Sequence, residues 1–281
     1  MKIGVFFPDN EPHSVTVYTK NVAKELTAKN VEIHFFSRRS ELPLGVDLYW
    51  DPTGTDARVP PKWLRAIDRP IVSTVHGFAS ATLDNSLSEH LVDRSKKKWF
   101  VARRRWPWGR YKNIVSQLIT VSEYAKREIC EHLDVPANMI SVAYHGVDSI
   151  FTISSNSNAN PSTPYLLHVS APQKKKNIER LVGAYQALKM KDKPRLLMVV
   201  PGLKKSFSVP GLELVTTPLR HEELVPLYAG AEAFIFPSLH ETFGLPILEA
   251  MAAGCPVVTS RTTACKEIAG DCADLVDTWS E

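Results

Sequence analysis

Two glutamates, Glu241 and Glu249, stand eight positions apart in the stretch "HETFGLPILEAMAAGCPVV", residues 240–258. A carboxylate that accepts from two vicinal hydroxyls clamps a diol, each charged hydrogen bond contributing about 1.5–3 kcal/mol net when desolvated. The apolar neighbours "AMAAG" and "PVV" predict a buried helix, where a carboxylate needs a reason to be. The preceding "AFIFPS" reads as a strand, so "LHETFG" is the loop at its carboxyl end and the helix begins near Gly244. Pro246 suits the first helical turn, where no amide donor is required. The amides of Phe243, Gly244 and Leu245 then face a ligand's phosphate or sugar oxygens. Glu249 lies just over one turn into the helix and Glu241 on the loop before it, so the two address different parts of one extended ligand.

A second constellation is "APQKKKNIERL", in which Lys175 and Lys176 precede a helix starting near Asn177. Cations and helix N-terminal amides converge there on a common anion. A third is "VSTVHGF", which ends an early strand with His76 and Gly77; a histidine at a strand end is by itself more often structural.

The elements that must position these residues alternate. Apolar runs at 2–7, 31–37, 46–50, 70–76, 118–122 and 140–146 read as strands, with a helix at 14–29 and helical segments between several others. From Ser154 to Pro164, "SSNSNANPSTP" has the composition of a solvated linker. The alternation then resumes, with strands at 165–170, 195–200, 212–216, 233–238, 256–260 and 273–277 and helices at 177–190 and 221–229. The expected fold class is α/β: two Rossmann-like doubly wound parallel-sheet domains, 1–153 and 165–281, joined by a linker at 154–164 and facing a cleft. The chain lacks G-x-G-x-x-G after the first strand and lacks G-x-x-x-x-G-K-[ST], which argues against a dinucleotide dehydrogenase and a P-loop enzyme.

The 281 residues are 44% hydrophobic and 23% charged, enough apolar content to fill two cores. Four scattered cysteines without metal-like spacing point to free thiols in a reducing compartment. With no signal-like start and no apolar run long enough to span a bilayer, the expected location is cytoplasmic, or peripheral at the inner face of a membrane. Residues 94–112, "RSKKKWFVARRRWPWGRYK", carry nine Lys or Arg and no acid, while the rest of the chain has 25 basic against 30 acidic residues. With five aromatics interleaved, Trp99, Trp106 and Trp108 among them, the strip suits an anionic membrane surface; a solvated surface is the plainer alternative. It carries no recognised DNA or RNA module, so no nucleic-acid partner is expected.

On these residues a resemblance rests. "HETFGLPILEAMAAGCPVVTS" resembles the Glu-x7-Glu signature of GT-B fold retaining glycosyltransferases of family 4; "LITVSEYAKREI", "VAYHGVDSIF" and "KKKNIERLVGAYQAL" resemble further parts of that family's pattern. The resemblance implies a metal-independent hexosyltransferase without a bound cofactor, whose donor is a nucleoside diphosphate sugar and whose acceptor is a glycan or lipid-linked hydroxyl. It implies that Glu249 binds the nucleotide ribose and Glu241 the transferred sugar, with the amides of Phe243, Gly244 and Leu245 on sugar and phosphate. Lys175 and Lys176 would neutralise the leaving diphosphate, and His76 with Gly77 would lie near the transferred sugar. The Lys-Lys-Asn form of the loop leans weakly toward GDP-mannose. The pattern departs in three places. His13 and Ser14 replace a Gly pair, Ser170 and Ala171 stand where many members carry an arginine, and the resemblance would continue beyond "DLVDTWSE" with further helices. Two other readings stay open: a nucleotide-sugar-binding protein impaired in turnover, and a nucleotide-sugar 2-epimerase.

Overall fold

The computed structural model describes residues 1–9, 11–55, 58–77, 108, 111, 113–153 and 164–279, residues 13 and 153 by their backbone alone. Among them the chain separates into two units, Met1–Tyr144 and His145–Glu281. In the first, β1 (Lys2–Phe6), β2 (Glu32–Phe36), β3 (Leu48–Gly54), β4 (Ile71–Val75), β5 (Gln117–Thr120) and β6 (Ile140–Val142) form one sheet in the order β2-β1-β3-β4-β5-β6. Every neighbouring pair is parallel. Helices α1 (His13–Ala28) and α2 (Glu123–Leu133) belong to this unit, and Ser122 caps α2 by accepting from the Ala125 amide at 3.0 Å. His13 and Ser14, expected to stand where the family has a Gly pair, open α1.

The second unit holds α3 (Ile150–Ile153), β7 (Tyr165–Val169), α4 (Ile178–Ala187), β8 (Arg195–Val199), β9 (Leu212–Val215), α5 (His221–Ala229), β10 (Ala233–Phe236), α6 (Leu245–Ala252), β11 (Val257–Ser260), α7 (Thr263–Ala269) and β12 (Asp274–Val276). Its sheet is also wholly parallel, in the order β12-β11-β10-β7-β8-β9. The chain therefore winds outward from β7 to β9, returns, and winds the other way from β10 to β12. Loops leaving the carboxyl ends of the adjacent strands β7 and β10 diverge, and this reversal is where doubly wound sheets take ligands.

Each sheet is buried on both faces, which is why its strands read as continuous apolar runs. In the second unit Leu167, Phe234, Phe236 and Ile247 pack on one side, and Leu196, Met198, Leu181 and Tyr185 on the other. The division between units falls at Tyr144/His145, before the solvated stretch 154–164 that composition marks as the linker. The reason is Phe151, fully buried in the second core, 5.8 Å from Tyr228 and 5.6 Å from His221. Residues 154–163 lie outside the described residues.

The basic strip 94–112 is likewise outside them except for Trp108 and Tyr111. These two rings are core, 1% and 0% exposed, packed edge to face at 5.4 Å against the first sheet. Trp108 is thus unavailable to a lipid interface, a correction to its expected place there. All four cysteines are free. No described helix is long and apolar enough to cross a membrane.

Candidate active site

The loop after β7 turns through Lys174–Lys176 as a single 3-10 turn, and Asn177 then adopts a left-handed conformation (φ 59°) as the N-cap of α4. The loop after β10 runs from Pro237 to Gly244, which takes φ 99° before α6 begins, with Pro246 in the first turn. A Cβ at Gly244 would stand 3.1 Å from Ile247 Cδ1, so both the backbone angle and the space favour glycine. The start of α6 at Leu245 agrees with the sequence; Pro246 has no amide and the Ile247 amide donates to the Gly244 carbonyl at 2.9 Å, which leaves the Leu245 amide at the open end of the helix.

The two loops are stitched together. The Leu239 amide donates to the Lys175 carbonyl at 2.7 Å, and Ser238 Oγ lies 3.0 Å from that same carbonyl. Lys176 Nζ donates to Glu241 Oε1 at 2.5 Å and sits 4.9 Å from the Phe236 ring centre. Ser238 Oγ lies 2.6 Å from the same Glu241 oxygen, so its single proton serves either the carboxylate or the carbonyl. Glu241 is only 6% exposed. Burial pushes its pKa up, but the charges of Lys176 and Lys175 and the bonds from Lys176 and Ser238 outweigh that and hold it below the ordinary range. It is a buried carboxylate kept ionised by its lysines.

Glu249, the fifth residue of α6, is equally buried and differently partnered. Tyr228 of α5 donates to its Oε2 at 3.0 Å. Here burial wins: the pKa is raised, although the Tyr228 bond and the nearby His221 oppose the rise. Hydroxyl donors brought to this carboxylate would stabilise its charged form. The structure therefore brings Glu241, Lys175 and Lys176 together at the β7/β10 reversal and puts Glu249 and Leu245 on the helix behind it. Phe243 is buried, its ring 4.6 Å from His145.

Beneath Lys176, His168 of β7 is fully buried, with Nδ1 2.8 Å from the Ile235 carbonyl and Nε2 2.8 Å from Ser170 Oγ. Burial pushes its pKa down to about 4, so the ring is neutral, donating from Nδ1 and accepting from Ser170. Ser170 occupies a position where an arginine was expected from the family pattern, and its hydroxyl turns inward.

His76 and Gly77 follow β4 in the first unit. His76 Nε2 lies 2.7 Å from the Pro52 carbonyl, its amide donates to the Gly54 carbonyl at 3.0 Å, and its ring stands edge-on to Tyr18 at 4.8 Å. A carbonyl only accepts, so Nε2 carries the proton. Burial lowers the pKa against the pull of that bond, leaving Nδ1 an acceptor. Gly77 has φ 140°. Ser238, Tyr228 and His168 escaped the sequence reading. Only Ser238, three residues before Glu241 at a strand's end, left a local signal; Tyr228 and His168 meet their partners through tertiary packing.

Two family models match the chain: "Glycosyltransferase Family 4" over residues 53–150 and "Glycosyl transferases group 1" over 149–274, the latter holding the whole of the assembled site. The O-antigen chain mannosyltransferase B of Escherichia coli is 31% identical over 179 residues, 57% of this chain and 47% of that protein. The MMP alpha-(1->4)-mannosyltransferase of Mycolicibacterium hassiacum is 30% identical over 229 residues, 74% of this chain and 53% of that one. The chain thus spans about half the length of these two curated relatives. Sucrose-phosphate synthase from Thermosynechococcus elongatus superposes with a TM-score of 0.75 at 16% identity, covering 100% of this chain and 86% of that structure, and so shares its GT-B fold. With the two family models together matching residues 53–274 and that fold in common, the chain belongs to the family 4, group 1 glycosyl transferases.

Proposed function

We propose that the protein is a retaining hexosyltransferase moving a sugar, mannose by preference, from a nucleoside diphosphate donor to a hydroxyl of a glycan or lipid-linked acceptor. The observation that carries the reading is the buried Lys176–Glu241–Ser238 cluster at the β7/β10 reversal, with Glu249 one helix turn beyond. Lysines and first-turn amides match a diphosphate, and Glu249 matches a ribose diol. Glu241 matches hydroxyls of the transferred sugar. The lean to mannose draws on two relatives named as mannosyltransferases.

In this reading the bond from the sugar's anomeric carbon to the β-phosphate oxygen breaks as the acceptor oxygen bonds the same carbon from the same face, and the acceptor proton passes to the departing diphosphate. Negative charge growing on the diphosphate is met by Lys175 and Lys176, so no metal ion is needed. Glu241 Oε1, already held by Lys176 and Ser238, is placed to orient hydroxyls rather than to attack. His76, held neutral by burial, is assigned to the transferred sugar on the family resemblance.

The test is a panel of GDP- and UDP-sugars with α-mannoside acceptors, following nucleoside diphosphate release and the anomeric coupling of the product by NMR. Acceptor-dependent release of GDP from GDP-mannose with an α-linked product is expected. An epimerised donor, a β-linked product, or donor binding without acceptor-dependent release would overturn the reading.

A further inference from the structure

We propose that Arg180 and the backbone of Thr278 position the lysine turn for a diphosphate, making the segment that follows β12 part of the working site. The inference rests on the reading of residues 174–176 as the diphosphate-binding turn. Asn177, the residue joining that turn to α4, is a non-glycine residue held at φ 59° and ψ 32°, a conformation L residues adopt at a cost. Its side chain does not cap α4. Instead Nδ2 donates to the Thr278 carbonyl at 2.9 Å, while Oδ1 accepts from Arg180 Nη1 at 3.1 Å. The same Arg180 nitrogen donates its second proton to the Thr278 carbonyl at 3.0 Å, and the guanidinium lies 5.8 Å from the Trp279 ring centre.

Local helix energetics do not account for Arg180. It is the third residue of α4, where the helix dipole disfavours a cation. Its partners explain it: one carbonyl 98 positions away and one amide oxygen three positions back. Asn177 and Thr278 are both nearly buried, 8% and 3% exposed, so these bonds are sheltered from water. The lysine turn is consequently pinned at two points. On one side the Lys175 carbonyl is held by Leu239 and Ser238; on the other the Asn177 side chain is held by the segment after β12, directly through Nδ2 and again through Arg180. Releasing the second point leaves the lysines present and charged but frees their backbone from the segment after β12.

The test is calorimetry of the full chain with a nucleoside diphosphate and with the matching nucleoside, at low and high salt. In Arg180→Ala the diphosphate should bind roughly tenfold more weakly while the nucleoside, held by Glu249, changes by less than about twofold. The loss should persist at about 0.5 M salt, where a through-space charge effect is screened. Asn177→Gly, which keeps the left-handed backbone without the side chain, should show the same loss, and Arg180→Lys should recover part of it. Unchanged diphosphate affinity in Arg180→Ala or Asn177→Gly, equal losses for nucleoside and diphosphate, or a loss that disappears with salt would each overturn the positioning role. A wild-type chain that binds no nucleoside diphosphate would remove the functional reading itself, an outcome distinct from variants that bind as the wild type does.

Discussion

Glu241 and Glu249, eight residues apart and equally buried, are pushed in opposite directions by their partners, lysines for one and a tyrosine for the other. Because the folded pKa of Glu241 is depressed, its contribution to stability is present above the unfolded value and is lost as pH falls through the folded one. For Glu249 the folded pKa is raised, so its contribution is present in acid and is lost as pH rises through the folded value. Glu249→Gln should therefore melt at or above the wild-type temperature near pH 8, with the advantage shrinking toward about pH 4.5. It should still bind nucleoside and nucleoside diphosphate roughly tenfold or more weakly, by loss of a charged clamp. Glu241→Gln should do the reverse. Lys176 loses its buried counterion, costing stability, yet its ammonium becomes available to phosphate, so free diphosphate binds as well as or better than to the wild type while sugar-donor affinity falls. Thermal melts across pH with calorimetry on both ligands check the pair; matching profiles for the two variants would refute the division of roles.

Gly244 shows what an element asks of a single position. The loop after β10 must enter α6 at φ 99°, and a methyl there meets Ile247 Cδ1 at 3.1 Å, so Gly244→Ala should cost about 1–2 kcal/mol and raise the donor KM. Urea denaturation and steady-state kinetics measure the two effects. That loop and helix were legible in the sequence because apolar runs bounded by Pro and Gly fix where buried parallel strands stop. The twelve strands among the described residues stand within a few residues of their expected places, and α5 spans the expected 221–229. What stayed hidden is contact across long separations. Lys176 meets Glu241 over 65 residues, Tyr228 meets Glu249 over 21, and Asn177 meets Thr278 over 101. Spacing along a chain carries no such information; strand order does, once β7 and β10 are known to be neighbours. The division between the units is a related case. Composition marks a solvated stretch at 154–164, whereas the packing changes where Phe151 joins the second core.

Because each unit has its own core, acid and ligands should act on them separately. In the first, burial pushes Asp51 of β3 up to about 6 against the bonds from Thr53, with Arg58, Glu11 and Tyr111 nearby. In the second, His168 is pushed down to about 4. Stability tied to Asp51 is present in acid and is lost as pH rises through about 6; stability tied to His168 is present above its unfolded value and is lost as pH falls toward about 4. Between pH 7 and pH 5 the first unit should gain, and the second lose, about 1–2 kcal/mol from these groups. Asp51→Asn and His168→Gln should each flatten the response of their own unit in urea melts read by hydrogen exchange. Ligands divide the molecule in the same way. The groups matched to a free nucleoside diphosphate, Lys175, Lys176, Glu249 and the first turn of α6, all belong to the second unit, and His76 and Gly77 to the first. At about 100 times its dissociation constant such a ligand stabilises what it binds by about 2.7 kcal/mol, enough to slow amide exchange severalfold or more. Free diphosphate should therefore slow exchange at 172–180 and 238–250 and leave 71–77 unchanged. Slowed exchange at 71–77 with free diphosphate, or unchanged exchange at 172–180 and 238–250, would refute the placing of the diphosphate site in the second unit.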